Sequence, residues 1–125
     1  MKIYIILFSL GVALAMGVSG CGGGNRELEA DAKNFADAMC RNLETMQKLR
    51  GVNPADSIQV EKLQQERQKI DHEMSLLAGA FKKKYGEKAN TPEFGREYRK
   101  YLSEAMLECK FLTSEDRANF ERELN

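Results

Sequence analysis

The sequence predicts an all-α protein: an antiparallel three-helix bundle with a short fourth helix at the C-terminus and one disulfide. Three observations carry this. Between residues 25 and 125 there are two prolines, four glycines and seven β-branched residues, so helix breakers and strand formers are both scarce. Apolar side chains in that stretch recur at steps of three and four, the period of a helix face. The breaks between these stripes are short, which folds successive helices back on one another.

The first helix is expected over residues 26 to 50, where Leu28, Ala32, Phe35, Met39, Leu43, Met46 and Arg50 form a stripe that is apolar except at its last member. Gly51 ends it. Asn53 followed by Pro54 reads as a cap with proline at the first helical position, so a second helix is expected to start there. Its stripe of Val60, Leu63, Arg67, Ile70, Met74, Leu77 and Phe81 alternates steps of three and four, a heptad seam carrying one charge. It runs to Tyr85, with Gly86 as the C-terminal cap. Thr91-Pro92-Glu93 repeats the start signal, and Phe94, Tyr98, Tyr101, Leu102, Ala105 and Cys109 make the third stripe. Thr113 to Asp116 has the form of a capping box and opens a last short helix bearing Ala118, Phe120 and Leu124.

Antiparallel packing sets an expected register. Folding helix one on helix two about position 52 pairs residue i with about 104 − i; folding helix two on helix three pairs i with about 177 − i. Cys40 then faces Gln64 and Cys109 faces Gln68, less than two turns apart at 1.5 Å per residue. A Cys40 to Cys109 disulfide is therefore expected, closing a loop of about 70 residues and stabilising the fold by roughly 4 kcal/mol in the chain-entropy model. In this register the helix one and two hairpin runs past the end of helix three. Phe120 and Leu124 are its natural cover, over Leu43, Met46, Ile58 and Leu63; a partner or a second copy of the chain serves equally.

The N-terminus has export chemistry. Lys2 is followed by sixteen residues, Ile3 to Val18, without a charge, then by small residues at Ser19 and Gly20. The run is short and interrupted by Gly11 and Gly17, which disfavours a retained membrane span. Val18-Ser19-Gly20-Cys21 resembles the lipobox of bacterial lipoproteins, cleaved just before the cysteine. The resemblance covers residues 1 to 21. It implies a signal peptide over residues 1–20, a diacylglycerol on the Cys21 sulfur and an N-acyl chain on its freed amine. Two or more acyl chains anchor stably where one does not. Residues 21–25 form the lipidated cysteine and its glycine-rich tether, reaching at most about 14 Å, and residues 26–125 form the helical domain. In lipoproteins of enteric-type bacteria an aspartate after the cysteine favours retention in the inner membrane. Gly22 in that place implies the outer membrane, facing the periplasm, if the host is Gram-negative.

Removing residues 1–20 leaves 125 − 20 = 105 residues, room for one small domain and for no large catalytic architecture. Of 19 Lys+Arg only Lys2 is lost, so 18 face 19 Asp+Glu and the mature net charge is about −1, which argues against nucleic-acid binding. The single histidine, His72, falls at the outward heptad position of helix two and lacks the partners of a hydrolytic triad. No catalytic or cofactor-binding residue is expected beyond the covalent lipid. Met39, Cys40, Met106 and Cys109 gather near one level, a layer suited to Cu(I) if the thiols are free. A disulfide removes both thiolates, and ordinary core filling accounts for the methionines.

Three further features bear on partners. Lys82, Lys83, Lys84 and Lys88, with Arg96, Arg99 and Lys100, cluster at the tethered end, where they face lipid headgroups or simply complement a helix C-terminus. Phe81, Tyr85, Phe94, Tyr98 and Tyr101 bracket the second turn as a membrane-proximal core. Arg67 is expected to snorkel, to pair with an acid such as Asp37, or to set register. The functional expectation is a non-catalytic, membrane-anchored helical module that docks, escorts or inhibits an envelope protein through its distal hairpin. Pilotins of bacterial secretion systems are similar in layout, as small helical lipoproteins. The alternative is a soft-metal lipoprotein using the Met/Cys layer.

Overall fold

The computed structural model describes residues 24 to 125. The expected signal peptide over residues 1–20 and the expected lipidation site, Cys21, lie outside the described residues. Four α-helices follow one another with no strand among the described residues: α1 Gly24–Gly51, α2 Ser57–Tyr85, α3 Pro92–Leu107 and α4 Ser114–Leu124. A 3-10 segment, Gly86–Asn90, joins α2 to α3. The all-α bundle of three longer helices and a short fourth is the fold expected, and Cys40 and Cys109 are disulfide-bonded with a Cα–Cα distance of 5.7 Å.

α1 is the central element, with α2 on one side and α3 on the other. This explains its burial. Leu28 and Ala32 of the expected stripe are buried, but so are Ala36, Ala38 and Thr45, which lie off it. A helix flanked on two sides needs a wider apolar arc than a single stripe, and small residues supply it. Thr45 meets its polar requirement locally, its hydroxyl donating to the Arg41 carbonyl at 3.0 Å.

Helix starts differ from expectation in detail. α2 begins at Ser57, three residues after Pro54, because Asp56 is the better cap: its carboxylate accepts from the Gln59 N–H at 3.1 Å. The Asn53 side chain instead accepts from the Ala55 N–H at 3.0 Å, holding Asn53-Pro54 in a turn. α3 does start at Pro92, but the Thr91 hydroxyl points back and donates to the Lys88 carbonyl at 2.9 Å. At α4 the Thr113 side chain accepts from the Asp116 N–H at 3.1 Å and its hydroxyl donates to the Asp116 carboxylate at 2.8 Å. Gly86 ends α2 with φ +52°, a conformation that glycine takes without strain.

The register of α1 on α2 also differs from expectation. Arg41 grips Glu73 with two donors at 3.0 and 2.7 Å, Asn42 donates to Asp71 at 3.2 Å, and Lys84 donates to Asp31 at 2.7 Å. These pairs sum to 114, 113 and 115, so residue i faces about 114 − i rather than 104 − i. By that relation Ser57 would face position 57, six residues past the end of α1 at Gly51, a rise of about 9 Å. The first turns of α2 therefore overshoot α1. Ile58, 81% exposed, has nothing across from it.

The short helix also departs from expectation. α4 folds back along α3, with Arg117 beside Leu107 and Arg99 within 3.6 Å of Glu123. Phe120 reaches the level of Leu43, where both line a cavity with Met39, Met74 and Met106. Leu124 is 38% exposed and covers neither Ile58 nor Met46. The reason is a clasp that turns the chain: the Arg117 guanidinium donates to the Leu107 carbonyl at 2.9 Å and to the Cys109 carbonyl at 3.1 Å, satisfying the end of α3.

Candidate functional site

The chain has two ends of different chemistry. At the end where α1 begins, the aromatic side chains pack as expected: Phe81 lies 4.6 Å from Tyr85, 5.9 Å from Phe94 and 4.7 Å from Tyr98, all tilted, and Tyr85 lies 4.9 Å from Phe94. These are favourable ring geometries. Tyr101 is a correction to the expected set. It points to the opposite side of α3, near Glu29 and Lys33, with its hydroxyl 3.4 Å from Glu97.

Directly beside this cluster is a groove of about 430 Å³ between α2 and α3, floored by Asp31 and Phe35 of α1. Leu77, Phe81, Tyr98 and Leu102 line its walls. In the run Leu77-Ala78-Gly79-Ala80-Phe81 the two alanines line the groove and bring little bulk to fill it. That run is the sequence signal for the groove, and stripe analysis, which tracks only large apolar residues, passes over it.

The groove's rim is a closed polar network. Lys84 donates to Asp31 at 2.7 Å and lies 2.8 Å from Glu27, and the Tyr85 hydroxyl donates to the same Asp31 oxygen at 2.6 Å. Burial alone would lower the Lys84 pKa, but hydrogen bonds to Asp31 and Glu27 hold it well above the usual lysine value. Tyr85 is pushed up to about 12, by burial and then by its bond to Asp31. Burial and the Asp31 charge also raise the Tyr98 pKa. The network joins the last turn of α2 to the first turns of α1. Lys82, Lys83 and Lys88 remain exposed at this end.

At the other end, Met46, Leu49, Arg50 and Arg67 line a shallow cavity of about 200 Å³ below the overshooting turn of α2. Arg67 does not pair with Asp37. It lies 3.9 Å from Asp71 on its own helix, while Asp37 accepts from Arg41 at 3.3 Å. The shifted register puts Arg67 opposite Met46 and out of reach of Asp37.

The remaining candidates resolve simply. His72 is exposed on α2. The Cys40 to Cys109 bond occupies both cysteine sulfurs of the Met/Cys layer, and Met39 and Met106 line the cavity beneath α4. Among the described residues no group of His, Cys, Asp and Glu side chains is arranged to hold a metal ion. No helix among them is long and apolar enough to cross a membrane. One buried acceptor is orphaned: Asn42 Oδ1, in the same cavity as Phe120, has no partner while its Nδ2 serves Asp71. Comparison with protein-family models, curated proteins and solved structures finds no match for this chain.

Proposed function

We propose that the chain is a bacterial lipoprotein, anchored through lipid on Cys21, whose bundle serves as a non-catalytic interaction module that docks, escorts or inhibits another envelope protein. In a Gram-negative host it faces the periplasm from the outer membrane, as Gly22 after Cys21 implies. The observation that supports this reading best is the polarity of the molecule. The first residue of α1, three positions after Cys21, lies at the end closed by Lys84, Glu27 and Asp31, and the overshooting hairpin lies at the far end, about 42 Å away for 28 residues of helix. An exposed isoleucine held that far from a membrane is placed to meet a protein rather than the lipid that tethers it. The soft-metal alternative needs Cys40 and Cys109 as thiolates, and their disulfide leaves it only thioethers.

The experiment has two parts. Intact mass of protein extracted from its own membranes, alkylated without reductant, should match acylated residues 21–125 with no alkyl group added. A photocrosslinker placed at Ile58 in living cells should then give a defined protein adduct that the same group at His72, on the exposed flank, does not. Identical adduct patterns from both positions, or none from Ile58, would overturn the distal hairpin as the docking end. An unacylated chain would overturn the anchor.

A further inference from the structure

We propose that the groove between α2 and α3 is an acyl-chain site, and that its occupant is a hydrocarbon chain attached to Cys21, sheltered there while the protein is away from a membrane. This rests on the lipoprotein reading above. Three features of the molecule lead to it.

The first is chemistry. At about 430 Å³ the groove is within the usual size of a small-molecule site, about 300–1,000 Å³. Its lining is mostly apolar, Phe35, Leu77, Phe81 and Leu102 with Tyr98, and its charged lining, Asp31 and Lys84, is already paired, Lys84 to Asp31 and to Glu27. Two carboxylates share that one ammonium, so an anionic ligand finds no free counter-charge there. A free fatty acid would bring its carboxylate against Asp31 and Glu27, whereas an acyl chain on Cys21 is joined through neutral ester or amide groups and brings no charge.

The second is reach. Asp31 and Phe35 stand seven and eleven residues along α1 from Gly24, about 10 to 17 Å of helix rise. Cys21 precedes Gly24 by three residues, at most about 11 Å of extended chain. A long hydrocarbon chain that starts there can enter a groove at this end of the bundle, well before the distal cavity beside Arg67. Tethering also makes the association intramolecular, which favours the chain's own lipid over any dilute competitor.

The third is balance. The groove is open along one side and takes one chain, while a bilayer surrounds every chain on all sides, so the lipid leaves the groove when a membrane is offered. The groove thus shields apolar surface in water without opposing anchorage.

The test uses cells fed a fatty acid carrying a diazirine, so that the photoreactive chain is placed on Cys21 by the cells' own enzymes. The lipidated protein is extracted, its acylation checked by intact mass, the detergent removed, and the sample irradiated and mapped by peptide mass spectrometry. Carbene insertions are expected in the peptides containing Phe35, Leu77 and Leu102. They should be lost in Ala78→Trp, where a large ring at an exposed lining position fills the groove, with helix content and the disulfide intact. Adding vesicles of phosphatidylethanolamine and phosphatidylglycerol should replace them with lipid adducts. An acylated protein whose insertions fall elsewhere, or between molecules, or persist unchanged in Ala78→Trp, overturns this inference and leaves the lipoprotein reading standing. A chain with no acyl mass overturns both.

Discussion

Replacing Cys40 and Cys109 together by alanine is the most informative single perturbation of the fold. The bond closes a loop of 69 residues. In the chain-entropy model a loop of that length restricts the unfolded chain by about 15 cal/mol/K, or about 4 kcal/mol at 25 °C. For the roughly 100 residues of the folded body, an unfolding entropy near 2.1 cal/mol/K per residue gives about 0.2 kcal/mol/K, so the variant should melt roughly 20 °C lower. Alanine is chosen over serine because Cys109 is buried, 5% exposed, and a hydroxyl there would add a desolvation cost unrelated to the bond. Circular dichroism during heating is the assay, with the unsubstituted protein measured in reductant as a second route to the same state. Helix content at low temperature should persist, because on the chain-entropy account the bond acts on the unfolded chain and leaves the packing of the folded helices in place. If the variant, the reduced protein and the oxidised protein all melt within a few degrees of one another, the assignment of the disulfide as a major stabiliser is refuted.

Other consequences are equally direct. Ala32, fully buried where α1 is enclosed on two sides, has no room for more volume, so Ala32→Leu should cost about 1–3 kcal/mol in urea unfolding. Arg117→Ala removes two charge-assisted bonds to the carbonyls of Leu107 and Cys109 and should cost about 2 kcal/mol; Arg117→Lys should not restore it, because one ammonium lacks the fork that reaches both. In alkali the folded protein keeps the Tyr85 proton up to about 12 while the unfolded chain releases it near pH 10, and Lys84 is likewise raised. The folded state then binds more protons, so the contribution of these groups is complete below about pH 10 and declines as pH rises toward 12, which denaturant melts across that range should record. Asp31→Asn should bring the Tyr85 titration back toward the ordinary phenol value, read by tyrosinate absorbance.

Much of the fold was legible because it is written in local signals. Helical periodicity, the glycine at position 86 and the proline at 92 mark elements through short-range sterics and backbone hydrogen bonding. The disulfide was legible for a different reason: with helices one and three parallel in an up-down-up bundle, Cys40 and Cys109 fall near one level. Yet the route through α2 was inexact. Cys109 lies just past the end of α3, in the turn that brings it to α1, and the true α1 to α2 register differs by about ten in the residue sum. Asn53-Pro54 and Asp56 are both plausible starts. Which one caps is decided by the geometry of the whole turn, and the cross-helix pairing by how far α2 runs past the end of α1.

The groove and its rim were legible only in parts. The charged and aromatic residues at positions 81 to 85 stood out, but nothing local said that Lys84 would be bound by Glu27 and Asp31, some fifty residues earlier. Ala78 and Ala80 show small side chains on α2; whether another helix fills the space beside them depends on where α3 and α4 settle.

The sequence by itself determined that this is a helical chain, where most helices begin and end, which cysteines pair, and that one end carries the aromatic and basic side chains. The helices and their ends follow from propensity, caps and spacing, properties of neighbouring residues; the cysteine pair and the aromatic, basic end follow once those helices are folded up-down-up. Tertiary structure alone decided that α1 is enclosed on two sides, that α4 turns back along α3 through Arg117, that α2 overshoots α1 and exposes Ile58, and that Arg67 stays on its own helix. Each of these is a choice of relative placement between rigid rods. Such choices are settled by side-chain volume and by a few long-range hydrogen bonds, and those become visible only when the helices are brought together.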